Sequence, residues 1–328
     1  HTFESPIELP GVDAEQALQW IAANRIDKPV GTIIYTQMLN DKGGIECDLT
    51  CVRTKLNEYY ITTGTGYATH DFDWISRNIP SDLNVQLIDV TSSNAVLSLF
   101  GPRARDILQL VTTNDISDGS HPFGLAKQIC VAGCPTLAMR ITYVGELGWE
   151  LHLPVEYAQT VYNTLMDAGS PLGLRNAGYR AIETLRLEKG YRAWSSDIGP
   201  DHTPDEAGLG WDVKMKSNIS FKGRDAIAKQ RVEGVKKIMA TFTTDSNIIL
   251  SGRETIYRNG ERCGWLSSAG FGHTIGKFIG MGYVRSDTYI DEAFVLSGDY
   301  ELEVATKRVR ANVCLKPLYD PKLEKVKT

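Results

Sequence analysis

The chain has 328 residues, which as a soft prior corresponds to about two domains with ample apolar material for a core. Hydrophobic residues make up 42% and charged residues 23%, close to the average for soluble globular proteins. The formal net charge of −5 argues against a nucleic-acid-binding protein that relies on overall positive charge. No apolar run approaches the ~18 residues of a membrane span, and the first residues lack the features of a signal peptide.

The six cysteines are scattered along the chain. They form no CxxC pair, and no histidine lies at the spacing of a zinc ligand. In a chain of this length the pattern is typical of reduced thiols in a reducing compartment. Cys130 and Cys134 flank a glycine-containing turn, and a structural role explains both. The cysteine pattern therefore predicts no metal site.

The first predicted elements are a helix and a hairpin. Residues 13–24 have the apolar periodicity of an amphipathic helix, with Asp13 as its N-cap and Trp20 on its apolar side. Two β-rich segments, 31–39 and 45–53, flank a Gly-Gly turn and predict an antiparallel hairpin.

A strand-strand-helix order recurs further along the chain. A strand at 55–64 leads through a Gly-Thr-Gly turn into a helix, and this turn lacks the spacing of a phosphate-binding loop. Residues 84–111 predict two strands and a helix, and residues 126–169 predict more strands followed by a helix. This order indicates an α+β fold with largely antiparallel sheets and packed helices.

The composition changes toward the end of the chain. Residues 176–190 predict a helix that ends at Gly190, and the long polar loop 191–211 is of the kind that often carries function. Short strands with glycine and Asn-Gly turns then predict a small C-terminal β-barrel, followed by a frayed polar tail. We therefore expect two domains, at residues 1–232 and 233–328.

Common catalytic motifs are absent, since the chain has no GxSxG, HExxH, P-loop or dinucleotide fingerprint. In the stretch GGIECDLT, however, Glu46, Asp48 and Thr50 share one face of a predicted strand. That face is either an ordinary solvent-facing surface or, if it turns inward, the wall of a ligand site. Alternation by itself does not choose between them.

Glu146 and two arginines are further candidates. Glu146 lies between two glycines, and a carboxylate on such a turn can accept two adjacent N–H donors of a heterocycle. A turn glutamate that faces water explains the residue equally well. Arg180 and Arg186 are about 120° apart on their helix, so one of them could face a ligand. A surface salt bridge explains either arginine as well.

Five segments occur in an order that resembles one family. They are YTQMLNDKGGIECDLT, FGPRARDIL, TYVGELGWEL, AGYRAIETLRLEKG and TPDEAGLGW. They look like the folate-dependent aminomethyltransferases, which include the T-protein of the glycine cleavage system and the C-terminal halves of dimethylglycine and sarcosine dehydrogenases. The sequences of these segments are nearest those of the dehydrogenase halves, and the resemblance covers nearly the whole chain. It implies a T-protein-like folate-binding fold followed by a barrel.

The resemblance implies roles for individual residues. Asp48 matches the catalytic aspartate that approaches N10 of tetrahydrofolate, and Glu146 matches the glutamate that grips the pterin ring. Arg180 most resembles the partner arginine, with Arg186 second. T-proteins have two consecutive aspartates where this chain has Cys47 and Asp48, and alternation sends Cys47 to the opposite face. The acidic face of GGIECDLT is thus expected to point inward at a ligand.

Other residues are implied to line the same site. Tyr143 fits the tyrosine of a Y-x-G-E motif, and Trp211 fits the aromatic residue that closes over the ligand. Tyr35 and Met38 lie on the strand that enters the site. The anionic tail of folate is expected to leave past Lys214, Lys216 and Lys222, although a solvated charged loop explains these lysines too.

The resemblance implies an enzyme that transfers a methylene group from a methylamine-derived iminium or aminomethyl donor to form 5,10-methylenetetrahydrofolate. A flavin dehydrogenase domain or subunit would deliver the donor, and neither nucleic acid nor membrane would be a partner. We expect a cytoplasmic location, or the mitochondrial matrix in a eukaryote. Two alternatives remain open: a folate-dependent demethylase of an S- or O-methyl substrate, and a non-catalytic regulatory relative.

Overall fold

The computed structural model describes residues 4–245 and 248–328. Their strands form two antiparallel sheets and one closed barrel. The strands are β1 (Glu4–Pro10), β2 (Ile33–Leu39), β3 (Ile45–Lys55), β4 (Glu58–Gly64), β5 (Ile88–Asp89), β6 (Asn94–Phe100), β7 (Ala126–Val131), β8 (Cys134–Met139), β9 (Gly148–Pro154), β10 (Val235–Thr244), β11 (Thr255–Arg258), β12 (Glu261–Gly272), β13 (Lys277–Ile290), β14 (Tyr300–Val304) and β15 (Lys307–Cys314).

The helices pack against these sheets and none in the described ranges is long and apolar enough to cross a membrane. They are α1 (Ala14–Ile21), α2 (Ala68–Asn78), α3 (Ala104–Leu110), α4 (Ala158–Gly169), α5 (Tyr179–Glu188), α6 (Arg224–Glu233), α7 (Glu292–Leu296) and α8 (Glu324–Lys327). The predicted α+β class with antiparallel sheets is confirmed. The predicted boundary at 232/233 lies in the last turn of α6, just before the barrel begins.

The first sheet has the order β2-β3-β4-β1-β5 and contains the predicted hairpin. Strand β1 was not predicted, because Pro6 and Pro10 interrupt its apolar alternation. It pairs with β4 along its whole length but with β5 at only Ile7 and Glu8. The side of β1 that faces β5 is therefore nearly a free edge, where proline is tolerated.

The second sheet has the order β6-β9-β8-β7 and is joined to the first at the start of β2. Ile33 N–H donates to the Gly124 carbonyl at 2.8 Å, and Ala126 N–H donates to the Gly31 carbonyl at 2.7 Å. These backbone bonds continue the hydrogen-bonding pattern from one sheet to the other. The two sheets are therefore linked through backbone hydrogen bonds.

The predicted C-terminal β-barrel is confirmed, and it closes in the strand order β10-β13-β12-β11-β14-β15. Asn259 and Gly260 form the two-residue connection between β11 and β12, and their φ angles are +51° and +85°. Two consecutive left-handed residues are the signature of a type I′ hairpin turn, which favours Asn-Gly.

Helix α1 is shorter than predicted. Asp13 does not cap it, since its carboxylate accepts the backbone N–H of Asn84 at 2.8 Å instead. Trp20, expected on the buried side, is 40% exposed, and Ala14 and Leu18 are buried. The tertiary contact with Asn84 thus overrides the local capping preference, and α1 packs through its smaller apolar residues.

The C-terminal segment is not frayed, so that prediction is wrong. It contains α8, and Val326 is 1% exposed. Lys189, just past the end of α5, donates from Nζ to the Asp320 carboxylate at 2.8 Å, and the Thr328 carbonyl accepts from Arg105 and Arg140. The segment therefore runs back from the barrel and packs on the first domain.

Candidate functional site

The hairpin β2–β3 positions the first polar residues of the site. The register pairs Gln37 with Asp48 and Tyr35 with Thr50, so these four side chains share one face of the sheet. Gln37 Nε2 donates to Asp48 Oδ1 at 3.0 Å. The opposite face carries Met38, which is fully buried in the apolar core. Met38 was expected to line the site, and strand alternation places it on the wrong side.

Asp48 is a partly buried carboxylate with a shifted pKa. Burial raises its pKa to about 6, while hydrogen bonds from Tyr35 and Gln37 and the charge of Arg192 oppose the rise. Near neutral pH this carboxylate is therefore mostly ionised, yet close enough to its pKa to exchange a proton. A general base needs this combination.

Arg192 lies beside Asp48 and was not predicted from the sequence. Its guanidinium donates to the carbonyls of Gly190 and Ala207, the latter at 2.9 Å. Burial lowers the pKa of Arg192, and the nearby Tyr35 and Asp48 oppose that shift. Arg192 belongs to the long loop 191–211, which stands out in the sequence for its length and for Trp211 but not for this arginine.

An aromatic pair borders the same face. The rings of Tyr35 and Trp211 are stacked, with centroids 6.3 Å apart and an angle of 26° between their planes. Trp211 is 66% exposed, so its other surface is open to solvent. The structure thus brings together three of the predicted residues, Asp48, Tyr35 and Trp211.

Tyr143 and Glu146 lie on the connection between β8 and β9. Tyr143 donates its hydroxyl to the Arg192 carbonyl at 2.9 Å, and Asp48 contributes to the rise in its pKa, whose main cause is burial. Glu146 accepts a hydrogen bond from the Tyr319 hydroxyl, and this bond raises the pKa of Tyr319 to about 12. One oxygen of Glu146 is therefore engaged by the C-terminal segment.

The two candidate arginines occupy opposite environments. Arg186 is fully buried and pairs with Glu183 and Asp197, so its guanidinium is committed to the protein interior. That excludes Arg186 as a ligand-facing residue. Arg180 is exposed near the start of α5 and has no ion pair within the described ranges.

The lysines expected to guide the folate tail are mostly engaged. Lys214 Nζ donates to the Trp211 carbonyl at 3.0 Å, and Lys222 Nζ pairs with Asp41 at 2.7 Å. Lys216 is exposed. Of the three, Lys216 therefore has the most accessible charge for an anionic ligand.

One group of residues has the donor types of a metal site. Potential ligand atoms of Cys47, His70 and Asp71 lie within 4.8 Å of one another. Asp71 already accepts a hydrogen bond from Thr63, contacts His70 Nδ1 at 2.8 Å and is hydrogen-bonded to the Cys47 thiol. The group is therefore satisfied by internal hydrogen bonds, and we assign no ion to it.

The donor and acceptor set around Asp48 suits a polar heterocycle. Gln37 Oε1 is buried and has no hydrogen-bond partner among the residues the structure describes. Buried polar atoms are seldom left unpaired, so an unpaired amide oxygen beside a carboxylate and an aromatic pair favours a ligand with its own donors. A reduced pterin ring offers both N–H groups and a flat face.

Two family models match the chain in succession. The GCVT N-terminal domain matches residues 2–217, and the glycine cleavage T-protein C-terminal barrel domain matches residues 237–320. The crystal structure of aminomethyltransferase T from Bartonella henselae superimposes with a TM-score of 0.85 at 22% identity, covering 97% of this chain and 85% of that one. This likeness confirms the T-protein fold.

Two relatives also align over most of the chain. Mitochondrial sarcosine dehydrogenase of Mus musculus is 39% identical over 335 residues, covering 97% of this chain but 36% of that protein. The aminomethyltransferase of Halothermothrix orenii is 35% identical over 288 residues, covering 88% of this chain and 79% of that protein. The chain spans about a third of the dehydrogenase. Sequence, domain order and fold agree, and the chain belongs to the glycine cleavage T-protein family of aminomethyltransferases.

Proposed function

We propose that the chain transfers a one-carbon unit from a methylated-amine-derived donor to tetrahydrofolate. The observation that carries this proposal is Asp48, an ionisable carboxylate with a raised pKa on the inward face of β3, hydrogen-bonded by Gln37 and flanked by Arg192. When bound, tetrahydrofolate would supply the N5 and N10 nitrogens that accept the carbon unit and yield 5,10-methylenetetrahydrofolate.

The roles of the residues follow from their chemistry. Asp48 orients N10 and takes up a proton at its carboxylate, an effect typically worth about 10²–10⁴-fold in rate. Its negative charge also stabilises a cationic donor electrostatically. Tyr35 and Trp211 present flat faces to the heterocycle, and Glu146 has one oxygen free of Tyr319 to accept from it. Positioning by these groups supplies much of the remaining acceleration.

The donor is an iminium or aminomethyl group from a secondary or tertiary methylamine. Support comes from the sarcosine dehydrogenase relative, whose name gives a methylated amine as its substrate and whose sequence extends well beyond this chain. A flavin dehydrogenase domain or subunit would generate the donor. We expect Arg180 and Lys216, which are both exposed, to contact the anionic tail of folate.

Two measurements on the full chain test the proposal. Anaerobic calorimetry with tetrahydrofolate should give saturable one-to-one binding. Mass spectrometry should then detect 5,10-methylenetetrahydrofolate, formed from an N-hydroxymethyl secondary amine faster than in the protein-free reaction. Asp48→Asn should keep the binding and lose the acceleration. Absence of binding, a methylated rather than methylenated folate, or full turnover in Asp48→Asn would each overturn the proposal.

A further inference from the structure

Two neighbouring residues of the chain have opposite environments next to the site. Trp211 is 66% exposed, whereas Asp212 is 2% exposed. Asp212 therefore points into the protein while the ring of Trp211 lies over Tyr35. An aspartate is almost never fully buried unless it is paired. The partner of Asp212 is thus informative.

That partner is an amide from a different part of the chain. Asn24, in the connection between α1 and β2, donates from Nδ2 to Asp212 Oδ1 at 2.6 Å. The same Nδ2 also donates to the Tyr35 carbonyl at 2.9 Å. The Asn24 amide therefore links the backbone of Tyr35 to the side chain of Asp212. Asp212 directly follows Trp211, whose ring stacks on that of Tyr35.

A second contact brings the same two segments together. The backbone N–H of Lys214 donates to the Ala23 carbonyl at 3.0 Å. Asn24 is itself fixed to β2, since its N–H donates to Thr36 Oγ1 at 3.1 Å. The segment 212–214 is thus docked on residues 23–24 through one side-chain and one backbone bond.

The charge of Asp212 fits a structural role beside a catalytic carboxylate. Burial raises the pKa of Asp212 to about 8, Asp48 adds to the rise and Lys214 opposes it. At neutral pH Asp212 is therefore mostly protonated. A neutral Asp212 holds Asn24 without placing a second negative charge beside Asp48.

We propose that Asp212 is a positioning residue which, through Asn24, holds the Trp211 ring against Tyr35 to form the aromatic wall of the ligand site. The identity of the ligand rests on the proposed function, but the placement of the ring does not. Asp212 acts through Trp211 and need not touch the reacting atoms. Its loss should therefore weaken ligand binding more than the chemical step.

The ring can be observed directly in the full chain labelled with fluorotryptophan. The chain has six tryptophans, and the ¹⁹F resonance of Trp211 is assigned by its disappearance in Trp211→Phe. In Asp212→Leu, which keeps the branched shape of the side chain but removes the acceptor, we expect this resonance to broaden or move toward its position in unfolded protein. Asp212→Asn keeps a carbonyl acceptor for Asn24 and should retain the native resonance. Asp201→Leu, at an exposed aspartate of the preceding loop, is the matched control.

Tetrahydrofolate binding provides the second readout. Asp212→Leu should weaken it about tenfold, the usual scale for loss of one buried hydrogen bond, with KM rising more than kcat falls. If Asp212→Leu does not fold, Asn24→Leu removes the same hydrogen bond by deleting its donor. An unchanged Trp211 resonance and unchanged affinity in both variants would overturn the inference. If wild type binds no folate, the proposed function fails, while the resonance still decides whether Asp212 positions the ring.

Discussion

The guanidinium of Arg186 and the carboxylate of Asp197 form a fully buried ion pair, with Nη1 2.6 Å from Oδ2. Asp197 also accepts the backbone N–H of Ala193 at 3.0 Å and a hydrogen bond from Ser267 of the barrel. The pair therefore joins α5, the loop 191–211 and the second domain. Its position explains why Arg186 cannot serve as the ligand-facing arginine.

Replacing Arg186 with leucine should destabilise the fold severely. The variant leaves Asp197 buried without its cation, and breaking a buried pair from one side costs about 3–5 kcal/mol. Urea unfolding monitored by circular dichroism measures the loss. Arg180→Gln, at an exposed position of the same helix, is the control and should change the free energy of unfolding by less than about 0.5 kcal/mol. Equal stability of the two variants would contradict the buried role.

Replacing Arg192 with methionine should shift the pH dependence of turnover. The charge of Arg192 lowers the pKa of Asp48, which nevertheless lies at about 6 because of burial. Since the ionised carboxylate is the active form, activity should fall as the pH drops through this value. Removing the cation raises the pKa of Asp48, so the fall should begin at a higher pH. The dependence of kcat/KM on pH measures it, with Lys307→Met, at an exposed lysine of the barrel, as control. If the activity of Arg192→Met fell at the same pH as that of wild type, or at a lower pH, the charge of Arg192 would not act on Asp48.

Asp212→Asn should change how stability depends on pH. Asp212 has a pKa of about 8 in the folded protein, above the ~3.9 of an unfolded aspartate. The unfolded chain loses this proton first as the pH rises, so wild type loses stability between about pH 4 and 8. Asparagine has no such proton, and the stability of the variant relative to wild type should grow across that window and then level off. Urea unfolding of both proteins at about pH 5, 7 and 9 tests this, and a constant difference would contradict the shifted pKa.

Gly44→Ala should destabilise the hairpin that carries Asp48. An added Cβ would meet the Pro200 carbonyl oxygen and the Asn40 side chain well inside van der Waals contact. Overpacking of this kind costs about 1–3 kcal/mol, and it would push the loop 191–211 away from β3. Thermal unfolding and folate affinity should both report the change. Gly66→Ala, where the added atom meets no described atom within 4 Å, is the control. Unchanged stability of Gly44→Ala would mean that the loop 191–211 can move away from the added Cβ at no cost in free energy.

Local pattern was enough to predict which side chains of β3 share a face, but not whether that face points inward. Glu46, Asp48 and Thr50 alternate with buried residues, and the register with β2 puts Gln37 opposite Asp48. The resemblance added that this face meets a ligand. The prediction for Met38 was wrong, because Met38 is the next residue after Gln37 on β2 and alternation turns its side chain to the opposite, buried face.

Arg192 and Asp212 could not be predicted from local pattern. Both lie in irregular segments without periodicity, and their importance comes from partners far away in sequence, such as Asn24 for Asp212. Asp13 fails for a related reason, since a tertiary acceptor role with Asn84 outweighs the local capping preference. Side chains whose environment is set by long-range contacts are the ones that a single sequence leaves undetermined.

The docked C-terminal segment has a consequence for synthesis of the chain. Lys189 is 1% exposed, and its ammonium group pairs with Asp320, 131 residues later. While the ribosome is still making the barrel, that charge has no carboxylate from this segment beside it. An N-terminal domain usually folds first as it emerges, but here a buried cation of that domain must wait for Asp320, which follows the barrel. The nascent first domain should therefore reach its final protease resistance only after the segment that contains Asp320 has left the ribosome.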